Sequence, residues 1–207
     1  MRPTDRDVLI VVDVQNDFLP GGALAVPEGD AVISPINGLI GRFSHVILTQ
    51  DWHTPGHVSF ASSHRGKKPF EMISLAYGEQ VLWPDHCVQG TSGAALASAL
   101  KADKAELIVR KGYHPQVDSY SGFIEADGRT PTGLGGTLKE RSFARVFVCG
   151  LATDYCVAWT AMDARKQGFE TFVIEDACRG IDLHGSVEAA WTAMAEAGIG
   201  RLGREAM

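Results

Sequence analysis

Five short apolar runs rich in β-branched residues recur along the chain: DVLIVVDV (7–14), SHVILTQD (44–51), AELIVRKG (105–112), ARVFVCG (144–150) and FETFVIEDA (169–177). Runs of this length without sustained polar alternation mark strands buried on both faces. The stretches between them read as helices. GDAVISPINGLIGRF opens with an Asp30 cap, TSGAALASALKAD is alanine-rich, and TPTGLGGTLKERS carries a proline just before a short helix. TDYCVAWTAMDARKQG starts on a Thr153 cap and stops at Gly168, and SVEAAWTAMAEAG closes the chain in the same way. Strand alternating with helix predicts an α/β fold, a doubly wound and mainly parallel sheet flanked by helices on both faces. No linker or repeat interrupts it, so residues 1–207 read as one domain.

Ligands of such sheets collect beyond the carboxyl ends of the strands. Asp13 ends the first run, Asp51 the second and Lys111 the third, and the turn GLATDYC follows the fourth. Two long connections, 52–91 and 113–131, add aromatic residues over the same edge.

The net charge of −6 argues against a partner bound through phosphate neutralisation, so no nucleic acid is expected. No apolar run is long enough to span a bilayer, and no membrane partner is expected. Four scattered cysteines (87, 149, 156 and 178) make no disulfide framework or zinc knuckle, which suits a cytoplasmic protein with reduced thiols.

With Thr153 as the cap, Cys156 falls at the third helical position, where free N–H groups and the helix dipole favour a thiolate and a developing oxyanion. Asp13 could take the thiol proton, and Lys111 could hold Asp13 ionised. Asp51 and His53, two apart at a strand end, with His86 from the WPDHC loop, suit Zn²⁺, Fe²⁺ or Mn²⁺ with open positions left for water. Ser59, His57 and His64 are spare candidates for that site. Phe18, Trp52, Phe60, Trp83, Tyr113, Tyr120 and Phe123 could wall a slot for a flat ring.

The motifs VDVQNDFLPGGALAV, TQDWHTPGHVSFASSH, LWPDHCVQGTSGA, RKGYHPQVDSYSGF and VCGLATDYCVAWTAMDA together resemble the nicotinamidase group of the isochorismatase-like cysteine hydrolases. The match runs in order from about residue 7 to 177. The resemblance implies hydrolysis of nicotinamide to nicotinate and ammonia in NAD salvage, with pyrazinamide as a side substrate. It implies a triad of Asp13, Lys111 and Cys156, and an oxyanion hole from the Ala152 and Cys156 amides after a cis Leu151–Ala152 bond. It implies one divalent ion, Zn²⁺ first among the candidates, on Asp51, His53 and His86. Phe18, Leu24, Trp83 and Tyr120 would surround the ring. Monomers and homo-oligomers both occur among such enzymes.

Three other readings stand beside it. An isochorismatase acting on a vinyl ether needs no metal and leaves Asp51, His53 and His86 unexplained. An amidase of another small amide or ureido acid generally lacks the DWH pattern. A non-catalytic ligand- or metal-binding module would have no use for Asp13, Lys111 and Cys156 together.

Overall fold

The computed structural model describes all 207 residues. A six-stranded sheet forms its centre. The strands are β1 (Asp7–Val12), β2 (Val46–Asp51), β5 (Leu107–Lys111), β6 (Arg145–Leu151), β7 (Glu170–Arg179) and β8 (Gly200–Leu202), with spatial order β5-β2-β1-β6-β7-β8 and every pairing parallel. A separate antiparallel hairpin, β3 (Met72–Leu75) with β4 (Gly78–Val81), lies within the long 52–91 connection. The five runs read from the sequence are the five long strands of the sheet. The hairpin and the three-residue β8 carry too little apolar pattern to be read in advance.

The helices are α1 (Ile33–Ile40), α2 (Leu134–Glu140), α3 (Ala158–Lys166) and α4 (Ser186–Glu196). The order steps outward from β1 to β2 on one side and from β6 to β7 on the other. Right-handed crossovers that step in opposite directions place their helices on opposite faces. All residues of β1 and β2 are accordingly buried. β1 and β6 are the neighbours at which the direction of winding reverses, so the crevice beyond their carboxyl ends is the expected ligand position.

Three local expectations are corrected. The alanine-rich 91–103 segment is not a helix but a chain of turns ending in a short 3₁₀ stretch. Its backbone is claimed by partners far away in sequence: Gln15 and Gln50 both donate to the Ala94 carbonyl, Asn37 donates to the Ala99 carbonyl, and the Ala97 N–H donates to the Val14 carbonyl. These bonds replace the helical ladder, and propensity yields to them. Asp30 does not cap α1; it lies within a 3₁₀ turn, Gly29–Val32, that leads into the helix. Thr153 is not an N-cap either. Residues Thr153–Val157 form a π-turn in front of α3, and the Tyr155 and Val157 N–H groups both reach the Ala152 carbonyl, each at 3.1 Å.

Gly150 shows why β1 and β6 can approach so closely. It has φ +119°, and a Cβ there would lie 2.1 Å from the Val12 carbonyl oxygen. Only glycine fits this crossing of backbones at the winding reversal.

Candidate active site

The strand ends converge as the topology requires. Asp13 directly follows β1 with φ +48°, and its carboxylate accepts the Thr49 hydroxyl of β2 at 2.6 Å. Lys111, the last residue of β5, is fully buried. Its Nζ lies 2.8 Å from Asp13 Oδ2 and 3.3 Å from Cys156 Sγ, donates to the Ser119 carbonyl at 2.9 Å, and pairs with Asp51 Oδ1. Asp13, Asp51 and Cys156 offer ligand-type atoms all within 4.8 Å of one another. One ammonium therefore ties two carboxylates to a sulfur in a buried site.

Burial sets the protonation of this group. It pushes the Asp13 carboxyl up, partly opposed by Lys111. It also pushes the Cys156 thiol well up, against the lowering effect of Lys111. This runs against the expectation of a depressed thiol: at this buried position desolvation, the largest cause, pushes the thiol up. Burial works against the Lys111 charge, but Asp13 and Asp51 outweigh it and hold the ammonium well above the usual lysine range.

Beyond Lys111 lies the second cluster. Asp51, His53 and His86 are buried, with ligand atoms within 4.8 Å of one another; Asp51 Oδ2 is 3.6 Å from His53 Nε2 and 3.8 Å from His86 Nε2. Two distant segments meet here because His53 and Val88 form a parallel bridge, with the His53 N–H on the Cys87 carbonyl and the Gln89 N–H on the His53 carbonyl. His53 Nδ1 sits 2.9 Å from the Gly112 carbonyl and His86 Nδ1 2.8 Å from the Pro84 carbonyl. Those carbonyls demand N–H on each Nδ1, which leaves both Nε2 lone pairs facing the Asp51 oxygen. This arrangement matches the tautomer and second shell that metal-ligating histidines adopt. The donor set of two imidazoles and a carboxylate fits a divalent ion with open positions. Burial opposes the Asp51 charge, yet Lys111 and His53 hold its carboxyl well below the usual carboxylate range.

Gly112 supports His53 from behind. With φ +66°, a Cβ there would lie 2.6 Å from His53 Cε1. Gln15 braces Asp51 by a reciprocal pair, its amide accepting the Asp51 N–H and donating to the Asp51 carbonyl, both at 2.8 Å.

The elbow after β6 carries a cis Leu151–Ala152 bond, and the Ala152 N–H has no backbone acceptor. Asp154 fixes the turn by accepting the Ile181 and Asp182 N–H groups at 3.0 and 2.8 Å and the Ser186 hydroxyl at 2.5 Å.

Residues 7–203 match the family model described as Isochorismatase domain. The chain belongs to the isochorismatase family. It is 54% identical over 202 residues to the nicotinamidase of Acinetobacter baylyi, covering 98% of this chain and 94% of that protein. The solved Acinetobacter baumanii nicotinamidase pyrazinamidase aligns with a TM-score of 0.96 and 57% identity over 97% of both chains. The pyrazinamidase of Pyrococcus horikoshii in complex with zinc aligns with a TM-score of 0.79 and 38% identity, over 96% of this chain and 99% of that one.

On this isochorismatase fold a cleft opens between the two clusters. Phe18, Trp83, Tyr120 and Ala152 line it together with Asp51, His53, His86 and Cys156. Leu24 is buried but does not line it. Nor do the other aromatic candidates: Trp52 lies under the Arg110 guanidinium, Tyr113 is exposed, and Phe60 and Phe123 are buried in packing. Among the spare metal candidates, His57 packs against His53 with ring centroids 4.4 Å apart and offers a ligand atom within 4.8 Å of those of His53 and Asp118, but both its ring nitrogens already have partners, Nδ1 at the Ser59 hydroxyl and Nε2 at the His114 carbonyl, each at 2.8 Å. Ser59 is thereby occupied, and His64 points at the Val58 carbonyl. Tyr155, Asp118 and Ile181 line the cleft without having been singled out. Tyr155 and Asp118 stand inside the motifs DYC and VDSYSGF, so motif membership was the available signal; Ile181 carried none.

Proposed function

We propose that this protein is a nicotinamidase that hydrolyses nicotinamide to nicotinate and ammonia through a Cys156 thioester, as a step of NAD salvage, and that it also accepts pyrazinamide. The observation that carries the reading is Lys111 Nζ, shared between Asp13 and Cys156 on one side and Asp51 of the metal-type cluster on the other. An isochorismatase-type reaction would leave that second cluster without a task. The names of the relatives at 54% and 57% identity support the same substrate.

Asp13, raised by burial, accepts the Cys156 proton as Sγ attacks the carboxamide carbon. The C–S bond forms, the carbonyl electron pair moves to oxygen, and the Ala152 and Cys156 N–H groups receive the oxyanion. As the C–N bond breaks, Asp13 returns its proton to the leaving ammonia. Water then attacks the thioester carbon and gives a proton to Asp13, and the departing thiolate takes it back. Lys111 stays charged throughout and steadies each anionic state in turn. Asp51, His53 and His86 would hold a divalent ion, Zn²⁺ by preference, which when bound supplies a Lewis acid for the ring nitrogen. Phe18, Trp83 and Tyr120 hold the ring flat between the two clusters.

Ammonia release from nicotinamide, with and without chelator, tests the assignment. Turnover that depends on metal is expected; its absence with nicotinamide alongside turnover of another small amide would replace the substrate.

A further inference from the structure

The β3–β4 hairpin stands apart from the six-stranded sheet. Its residues are mostly exposed or half-buried, yet Gln80 on β4 is only 2% exposed. The Gln80 side chain is held at its far end by Tyr77 of the hairpin turn, whose hydroxyl donates to Oε1 at 2.9 Å. The Val81 carbonyl at the other end, which can only accept, fixes which atom of the amide is nitrogen. That atom, Nε2, lies 2.9 Å from Asp118 Oδ2 and 3.0 Å from the Tyr120 hydroxyl, with the Val81 carbonyl at 2.7 Å. Both Asp118 and Tyr120 line the cleft between Cys156 and the metal-type cluster. Trp83 Nε1 donates to the same Tyr120 oxygen at 3.0 Å. Gln80 Nε2 shares two N–H groups among three acceptors, so the Tyr120 oxygen accepts from Trp83 and in part from Gln80, and its own proton is left to be given elsewhere.

We propose that the β3–β4 hairpin is a specificity element of the cleft and that Gln80 is its positioning residue, holding the Tyr120 hydroxyl as a hydrogen-bond donor and the Asp118 carboxylate as a fixed wall for the aromatic substrate. This rests on the nicotinamidase reading of the same site. Gln80 touches neither substrate nor the reacting atoms; it acts through Tyr120 and Asp118. An isolated hairpin of this length is marginal in water. Gln80 and Tyr77 supply its side-chain attachment to the wall, and loss of the amide donor leaves Trp83 Nε1 as the remaining donor to Tyr120.

The test compares wild type with Gln80→Glu and Gln80→Ala in steady-state hydrolysis of nicotinamide, with thermal unfolding measured on each. Gln80→Glu keeps the shape and the acceptor for Tyr77 but removes both donors. One hydrogen bond to the Asp118 carboxylate and one to the neutral Tyr120 hydroxyl correspond to an effect of about tenfold or more. The expected result is a KM about tenfold higher in both variants, with kcat within about threefold of wild type and a lower unfolding temperature for Gln80→Glu than for Gln80→Ala, because the new carboxylate faces Asp118. Tyr120→Phe should add little further loss on the Gln80→Ala background, because the two act through one hydroxyl. An inactive wild type overturns the function and this inference with it. An active wild type with unchanged KM in Gln80→Glu, or fully additive losses with Tyr120→Phe, overturns this inference alone.

Discussion

Lys111 Nζ stands 3.3 Å from Cys156 Sγ and simultaneously balances the buried carboxylates of Asp13 and Asp51. In the proposed mechanism the same ammonium serves catalysis as well as stability. Lys111→Met would strand two carboxylates without a countercharge, and breaking such a buried pair costs about 3–5 kcal/mol. Urea unfolding should show a loss of that size, with turnover abolished. A variant of near-wild-type stability would mean that Asp13 and Asp51 do not depend on Lys111.

The thiol is a separate matter. Its removal leaves a small void and no charge, so Cys156→Ala should fold normally and bind nicotinamide, measured by calorimetry, within a few-fold of wild type. Turnover should fall by at least about 10³-fold, the scale seen when a nucleophile is deleted and only binding and the oxyanion hole remain. Substantial residual hydrolysis would remove Cys156 from the nucleophile's role.

Gly112 offers a test of the metal cluster that leaves every ligand in place. An added Cβ would push on the His53 ring at 2.6 Å and would sit at φ +66°. Gly112→Ala should lower bound-metal stoichiometry and cost about 1–3 kcal/mol from backbone strain. His86→Ala should also lose metal but without that strain. Full metal content in His86→Ala would contradict the ligand set.

Much of this site could be read before any fold was known, because strand ends are set by apolar runs and the functional residues sit directly at those ends. Asp13, Asp51 and Lys111 follow from β1, β2 and β5 alone. What could not be read is what depends on contacts distant in sequence. The Cys156 thiol was expected to be depressed, and full burial reverses that, since enclosure is a property of the whole fold. The 91–103 segment has the composition of a helix, and only the amides of Gln15, Gln50 and Asn37 explain why it is not one. Gln80 stands in a polar stretch with no motif around it, and its partners Asp118 and Tyr120 lie about forty residues away.

Far from the cleft, Asp7 at the start of β1 is paired in register with Arg145 at the start of β6, and the two side chains meet in a bidentate bond at 2.6 and 2.5 Å. The Thr4 N–H and hydroxyl add further donors at 2.6 and 2.9 Å. Burial alone would raise the Asp7 carboxyl, but the bonds from Arg145 and Thr4 outweigh it and hold it below the usual value. A carboxyl with a lower folded than unfolded pKa contributes stability that is fully present above the unfolded value. That contribution is lost as pH falls through the folded one. Asp7→Asn should therefore cost about 1.5–3 kcal/mol at neutral pH, the range for a hydrogen bond to a charged group. The difference from wild type should shrink once the pH falls below about 4, where an unfolded aspartate takes up its proton. Denaturant unfolding of both proteins across pH 3 to 7 measures it. A gap that stayed constant to the acid end would show that the carboxylate charge contributes nothing, and that Asn is simply a poorer fit between Thr4 and Arg145.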